Sequence, residues 1–199
     1  MGEGLHPEND SGELISRPPE ISDLVELCGK LNAAGGKYVV VGGLAMVQAG
    51  YPRFTGDIDL LIEKSLENET VVLNVLGELP DGVAKQLQPG EISKYGVVRV
   101  ADEIVVDLLV SGCGVTYEDA IPDAKWVTID GAAIPFASKT TLWKMKQTVR
   151  EKDIPDRLFL RQALLREGVV LEPSVSNDRD PLARAPRWLR HILDRLFGA

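Results

Sequence analysis

The sequence predicts an α+β fold: a mixed β-sheet with flanking helices, followed by a C-terminal helical segment. Three observations carry that prediction. Short β-branched runs, KYVVV at 37–41 and IDLLI at 58–62, alternate with stretches whose apolar residues recur at helical spacing. Two pairs of apolar runs, at 97–110 and 126–136, are each split by a short polar turn and read as hairpins. The resulting order of helix, strand, helix, strand, helix, hairpins and helical pair combines both kinds of strand connection in one chain. At 199 residues, with 44% hydrophobic and 26% charged residues, the chain has the composition of one soluble globular unit.

Taken in order, residues 1–20 are rich in Gly, Pro, Glu and Asn without any period, and are expected to form a flexible tail. Leu24, Leu27, Cys28 and Leu31 then recur at helical spacing, with Ser22 as the expected N-cap and Gly35-Gly36 as the stop. The strand KYVVV is followed by a tight turn at Gly42-Gly43, a short helix over 44–49, a loop containing Pro52, and the strand IDLLI. A helix over 66–79 is expected to end at Pro80-Asp81-Gly82. After the hairpins, Ser138 is expected to cap a helix reaching Arg150, and Pro155 to open another reaching Glu167. Residues 172–186 read as a linker, and 187–199 as an amphipathic helix with Trp188, Leu189, Ile192, Leu193, Leu196 and Phe197 on one stripe. That stripe packs on its own domain or, as the minority reading, on a partner or a membrane surface. The domain proper is therefore expected over residues 21–171.

A formal charge of −8 argues against a broad electrostatic grip on nucleic acid, which depends on Lys and Arg neutralising phosphates. No apolar run reaches the roughly 20 residues of a membrane span, and the polar start lacks the apolar core of a signal peptide, so a cytoplasmic location is expected. His6 and His191 lie near opposite ends, and Cys28 and Cys113 form no C-x-x-C pair. No His/Cys zinc cluster is therefore expected, and acid-base or metal chemistry falls to carboxylates.

The carboxylates that stand out are Asp57 and Asp59, two residues apart on an expected strand and therefore on one face, with Cα atoms about 6.5 Å apart. Two acids converging in a partly buried site repel and raise each other's pKa unless a positive group lies between them. A divalent cation suits that position, and magnesium prefers one or two carboxylates together with substrate phosphates. Gly42-Gly43, opening a helix after a strand, lets backbone N–H groups approach an anion. Asp107, an acid inside the apolar run IVVDLLV, supplies a third ligand and an acceptor for the proton of an attacking hydroxyl. Taken singly, each feature is explained by an ordinary turn, a solvated strand end or an outward strand residue; their joint order and spacing favour a site.

A Gly-Gly pair after a strand, thirteen residues, Asp57-Ile58-Asp59-Leu60, and a separate strand with Val106-Asp107-Leu108 resemble the nucleotidyltransferase superfamily, whose core is similar to the DNA polymerase beta palm. The resemblance spans about residues 36–110. It implies a nucleotidyltransferase-like sheet and Mg²⁺-dependent transfer of a nucleoside monophosphate from a nucleoside triphosphate to an acceptor, with two ions and release of pyrophosphate. Asp57, Asp59 and Asp107 become the catalytic and metal-binding residues, and Gly42 and Gly43 orient the triphosphate. Arg53, Thr55 and Lys144 become candidates for phosphate contacts.

Downstream, SKTTLWKMKQTVREKDIPDRLFL at 138–160 is similar to the C-terminal signature of AbiEii-type toxins and related uncharacterised bacterial nucleotidyltransferases. Its signature residues fall on Lys144, Arg150, Lys152, Asp153 and Asp156. Asp153 joins the nucleotide-binding candidates, although Asp153 or Asp156 equally suits a helix cap beside Pro155. This resemblance implies a toxin role with an antitoxin as partner, whereas the shared core implies an antibiotic-type enzyme as an alternative. The acceptor is RNA, a protein or a small molecule. Two rival readings are an inactive interaction module with the same fold and a dinucleotide-binding oxidoreductase. The latter draws on VVVGGLA followed by Glu63, but lacks the G-x-G-x-x-G spacing.

Overall fold

A computed structural model describes residues 16–171; residues 1–15 of the expected tail, the expected linker 172–186 and the expected helix 187–199 lie outside them. The elements are α1 (Ile21–Ala33), β1 (Tyr38–Val41), α2 (Gly42–Gln48), β2 (Ile58–Ile62), α3 (Leu66–Leu76), α4 (Glu91–Tyr95), β3 (Val97–Ala101), β4 (Val105–Leu109), α5 (Tyr117–Ala120), β5 (Lys125–Ile129), β6 (Ala132–Phe136), α6 (Lys139–Met145) and α7 (Ile154–Arg166). Both expected hairpins form, as β3–β4 and β5–β6.

The strands make one six-stranded sheet in the order β3-β4-β2-β1-β6-β5. β1 runs antiparallel to β2 and parallel to β6, while β2 runs parallel to β4, so the sheet is mixed as expected. A dinucleotide fold would need β1 and the next strand to be parallel neighbours joined by a crossover helix. Their antiparallel pairing removes the oxidoreductase reading.

All four residues of β1 are buried, in keeping with its central place. β4 alternates instead: Val106 and Leu108 are fully buried, and Val105, Asp107 and Leu109 point to the other, half-open face. A one-residue slip would turn Asp107 into the core and expose two apolar side chains, each worth roughly 1.5–3 kcal/mol when buried. The apolar neighbours thus determine where the acid points.

Several boundaries differ from expectation for identifiable reasons. Glu20, not Ser22, caps α1, through a reciprocal capping box with Asp23. Residues 16–20 of the expected tail join the fold: Arg17 forms an isolated bridge to Ile104 and ion pairs with Asp23 and Glu103. α3 stops at Leu76, three residues early, and the buried Asp102 carboxylate accepts from the N–H groups of Asp81 and Val83 in the turn beyond it. α6 stops at Met145 rather than Arg150. There the Arg157 guanidinium donates to the carbonyls of Lys146 and Thr148, satisfying acceptors that a continued helix would have used internally. The glycine pair is the first turn of α2 rather than a separate turn before it.

Candidate active site

Strand register assembles the site. Asp59 lies opposite Val41 on β1 and opposite Asp107 on β4, so both acids project from adjacent parallel strands at one level. Asp57 stands one residue before β2 and follows the same alternation as Asp59. One carboxylate oxygen from each of Asp57, Asp59 and Asp107 lies within 4.8 Å of the others. The three are half-buried. Burial, reinforced by the charges of Asp57 and Asp107, pushes the Asp59 carboxyl up to about 6, against a partial offset from the Gly43 N–H and Lys146.

The glycines hold this arrangement in a way the sequence did not reveal. Gly42 has φ +60°, and a Cβ there would lie 1.8 Å from Asp59 Oδ2. A Cβ on Gly43 would lie 2.2 Å from Thr55 Oγ1. No side chain fits either position without moving Asp59 or Thr55. The Gly43 N–H points at Asp59 Oδ2 across 3.4 Å, and Thr55 Oγ1 donates to Asp57 Oδ1 at 3.1 Å. Thr55 therefore orients Asp57 from behind rather than lining the cleft.

A basic wall faces the acids across a cleft of about 170 Å³ whose lining includes Arg53, Lys146, Arg150 and Lys152. Lys146 Nζ lies 2.9 Å from Asp153 Oδ1 and 2.8 Å from Asp156 Oδ2. Arg53 Nη1 meets Asp156 Oδ2 at 2.7 Å, and Arg150 Nε meets Asp153 Oδ2 at 3.0 Å. Both of these aspartates are almost fully buried. Burial pushes the Asp153 carboxyl up, but the Thr148 hydroxyl and the Lys146 ammonium outweigh it and hold the group below the usual carboxylate range. Neither acid caps α7 with its side chain: Asp153 occupies the N-cap position without a side-chain hydrogen bond, and Asp156 makes ion pairs instead.

Of the residues singled out in sequence, Gly42, Gly43, Arg53, Asp57, Asp59, Asp107 and Asp153 line one cleft. Lys144 does not. It is exposed in the last turn of α6, where its charge acts on Asp119, and Lys146 takes the place facing the acids. Arg99 was missed altogether. It lies opposite Asp107 in the β3–β4 register and donates to Asp107 through Nε at 2.8 Å and Nη2 at 2.7 Å, and to Asp57 Oδ2 through Nη2 at 3.1 Å. Counting outward from a two-residue turn at Asp102-Glu103 would have set Arg99 opposite Val106; the turn also takes in Ile104, and that extra residue brings Arg99 opposite Asp107.

Three carboxylates within reach of one another, all hard oxygen donors, form a donor set that fits a divalent cation such as Mg²⁺. Among the described residues no helix is long and apolar enough to cross a membrane. No protein-family model and no curated protein matches the sequence. Among solved structures, the chain is similar to the crystal structure of ANT(2″)-Ia in complex with adenylyl-2″-tobramycin, distantly, at 13% identity and a TM-score of 0.40 over 89% of each chain.

Proposed function

We propose that the protein is a Mg²⁺-dependent nucleotidyltransferase that moves a nucleoside monophosphate from a nucleoside triphosphate to a hydroxyl-bearing acceptor. The observation that carries this reading is the convergence of Asp57, Asp59 and Asp107 opposite a basic wall. These three acids would hold two divalent cations, which supply charge neutralisation for the triphosphate and for the attacking and leaving oxygens. Lys146, Arg150 and Arg53 bind the phosphates from the other side. Gly42 and Gly43 keep the backbone close to Asp59, and Thr55 keeps Asp57 in orientation.

Asp107 accepts the proton of the attacking hydroxyl at a carboxylate oxygen. The hydroxyl oxygen forms its bond to the α-phosphorus as the bond from that phosphorus to the bridging oxygen breaks, and pyrophosphate leaves. Catalysis then comes from positioning and charge stabilisation rather than from a covalent intermediate. A cleft of about 170 Å³ is smaller than the ~300 Å³ typical of a small-molecule pocket, so it suits the reacting phosphates and leaves nucleoside and acceptor to its rim. A toxin role with an antitoxin partner is what the likeness of residues 138–160 adds to this reading.

Calorimetric titration with each nucleoside triphosphate and Mg²⁺ tests it. The wild type should bind at least one triphosphate only when the metal is present, and the Asp57→Asn/Asp59→Asn variant, still folded, should bind none. A wild type that binds no triphosphate, or a variant that binds as well as the wild type, would overturn the assignment.

A further inference from the structure

We propose that Arg99 is the resident counter-ion of the acidic cluster, that a divalent cation must displace it from Asp57 and Asp107, and that its freed guanidinium then grips the donor's phosphates. The proposal rests on the nucleotidyl-transfer reading above. It begins with an overlap of positions. The guanidinium of Arg99 engages both oxygens of Asp107 and one oxygen of Asp57. These are the same carboxylates that a cation shared with Asp59 would draw on. A guanidinium and a dication repel each other, and neither can keep its geometry on one set of oxygens while the other is present.

The pair does not behave as a buried structural bridge. The Arg99 side chain is 59% exposed, with Asp107 at 14% and Asp57 at 30%. Exposed ion pairs contribute only about 0.2–1 kcal/mol, and a bidentate arginine fork somewhat more, so the contact is strong enough to neutralise the acids and weak enough to yield to a dication. Lys146 contrasts with it: its side chain is 13% exposed and lies between two aspartates at 1% and 2%. Lys146 is locked between its aspartates, whereas Arg99 is free to swing.

Where Arg99 goes follows from its shape. Its planar fork matches a phosphate as well as a carboxylate, and the side chain borders the cleft that also holds Arg53, Lys146 and Arg150. Displacement from Asp57 and Asp107 would therefore complete the basic lining at the moment the donor arrives. Cation and triphosphate would each favour binding of the other through this one side chain.

The test uses the full chain and two probes: Mn²⁺ alone, and inorganic tripolyphosphate added as its Mn²⁺ complex, both titrated calorimetrically. Arg99→Ala should bind Mn²⁺ alone about tenfold more tightly and the tripolyphosphate complex about tenfold more weakly, these being the shifts expected for about 1.4 kcal/mol each. A merely structural arginine would move both affinities the same way or neither. Arg99→Lys, which keeps the charge without the fork, should fall between and serves if the alanine variant folds poorly. Unchanged or weaker Mn²⁺ binding, or unchanged tripolyphosphate binding, in a folded variant overturns the role of Arg99 while a binding wild type leaves the nucleotidyl-transfer reading intact. If wild type and variant alike bind neither probe, both readings fall.

Discussion

Two groups of aspartates surround one cleft, Asp57, Asp59 and Asp107 in its lining and Asp153 and Asp156 bonded to its basic wall, and they are treated in opposite ways. Asp153 and Asp156, at 1% and 2% exposure, are the more deeply buried, yet each meets Lys146 and an arginine, and the Asp153 carboxyl is held below its ordinary range. Asp57, Asp59 and Asp107 are less buried, yet Asp59 is pushed up to about 6 by burial and by its two acidic neighbours. Exposure alone would have marked the buried pair as the costly one. Compensation matters more: the buried pair is neutralised and holds the basic wall in place, while the half-buried triad keeps an excess of negative charge. With Arg99 as one cation for three acids, the triad is only partly compensated, and a surplus of negative charge costs stability.

The strongest way to break this comparison is to remove the compensation. Lys146→Met leaves Asp153 and Asp156 buried with one cation fewer between them, and deleting one partner of a buried ion pair costs about 3–5 kcal/mol. Arg53 and Arg150 remain bonded to these acids, so about 3 kcal/mol is expected, read as a shift in the urea midpoint. A loss below about 1 kcal/mol would mean that the two aspartates are not held by Lys146, and the contrast with the triad would lapse.

The opposite sign is expected at Asp59. In the metal-free protein its folded pKa of about 6 lies above the unfolded value near 3.9, so its contribution to stability is fully present below about pH 3.9 and lost as pH rises through 6. At pH 7 that difference amounts to an order of magnitude of about 3 kcal/mol of penalty, an upper figure because the cluster can relax. Asp59→Asn should therefore stabilise the protein in EDTA at pH 7 by about 1–3 kcal/mol while removing cation binding. The gap in melting temperature between variant and wild type should close between pH 7 and pH 4. A variant less stable than the wild type at pH 7 would show that Asp59 is a structural acid like Asp153.

Much of this was legible in sequence, for a reason common to the parts that were. Strands and hairpins follow from side-chain alternation and turn residues, which are local, and the alternation of Val106, Asp107 and Leu108 alone decides which way Asp107 points. Asp57 and Asp59 were readable as one face from their period-two spacing, whereas Asp107 joined them as an acid inside an apolar run and as the third acid that the resemblance implied, its place beside Asp59 being set by the pairing of β4 with β2. What escaped was set by contacts across the fold. Gly42 and Gly43 read as an anion-binding turn, but their immediate constraint is the space taken by Asp59 and Thr55. α6 was expected to run to Arg150, yet Arg157, from the next helix, captures the carbonyls at its end. Arg99 carries no motif, and its role depends on a cross-strand register.

The smallest effect is also the sharpest check on that lesson. The likeness of residues 138–160 to a known signature placed the phosphate-binding lysine at Lys144, but the helix ends at Met145 and turns Lys146 into the cleft, leaving Lys144 exposed beside Asp119. An exposed lysine without a specific contact contributes within about 0.5 kcal/mol, so Lys144→Ala should leave both the urea midpoint and triphosphate affinity at wild-type values. Lys146 variants should change both. If instead Lys144→Ala weakened triphosphate binding while leaving stability untouched, α6 would have to turn about its axis when the donor binds. Lys146 would then be the anchor of the wall and Lys144 its working face, and the division between a locked cation and a mobile one would run along α6 as well as across the cleft to Arg99.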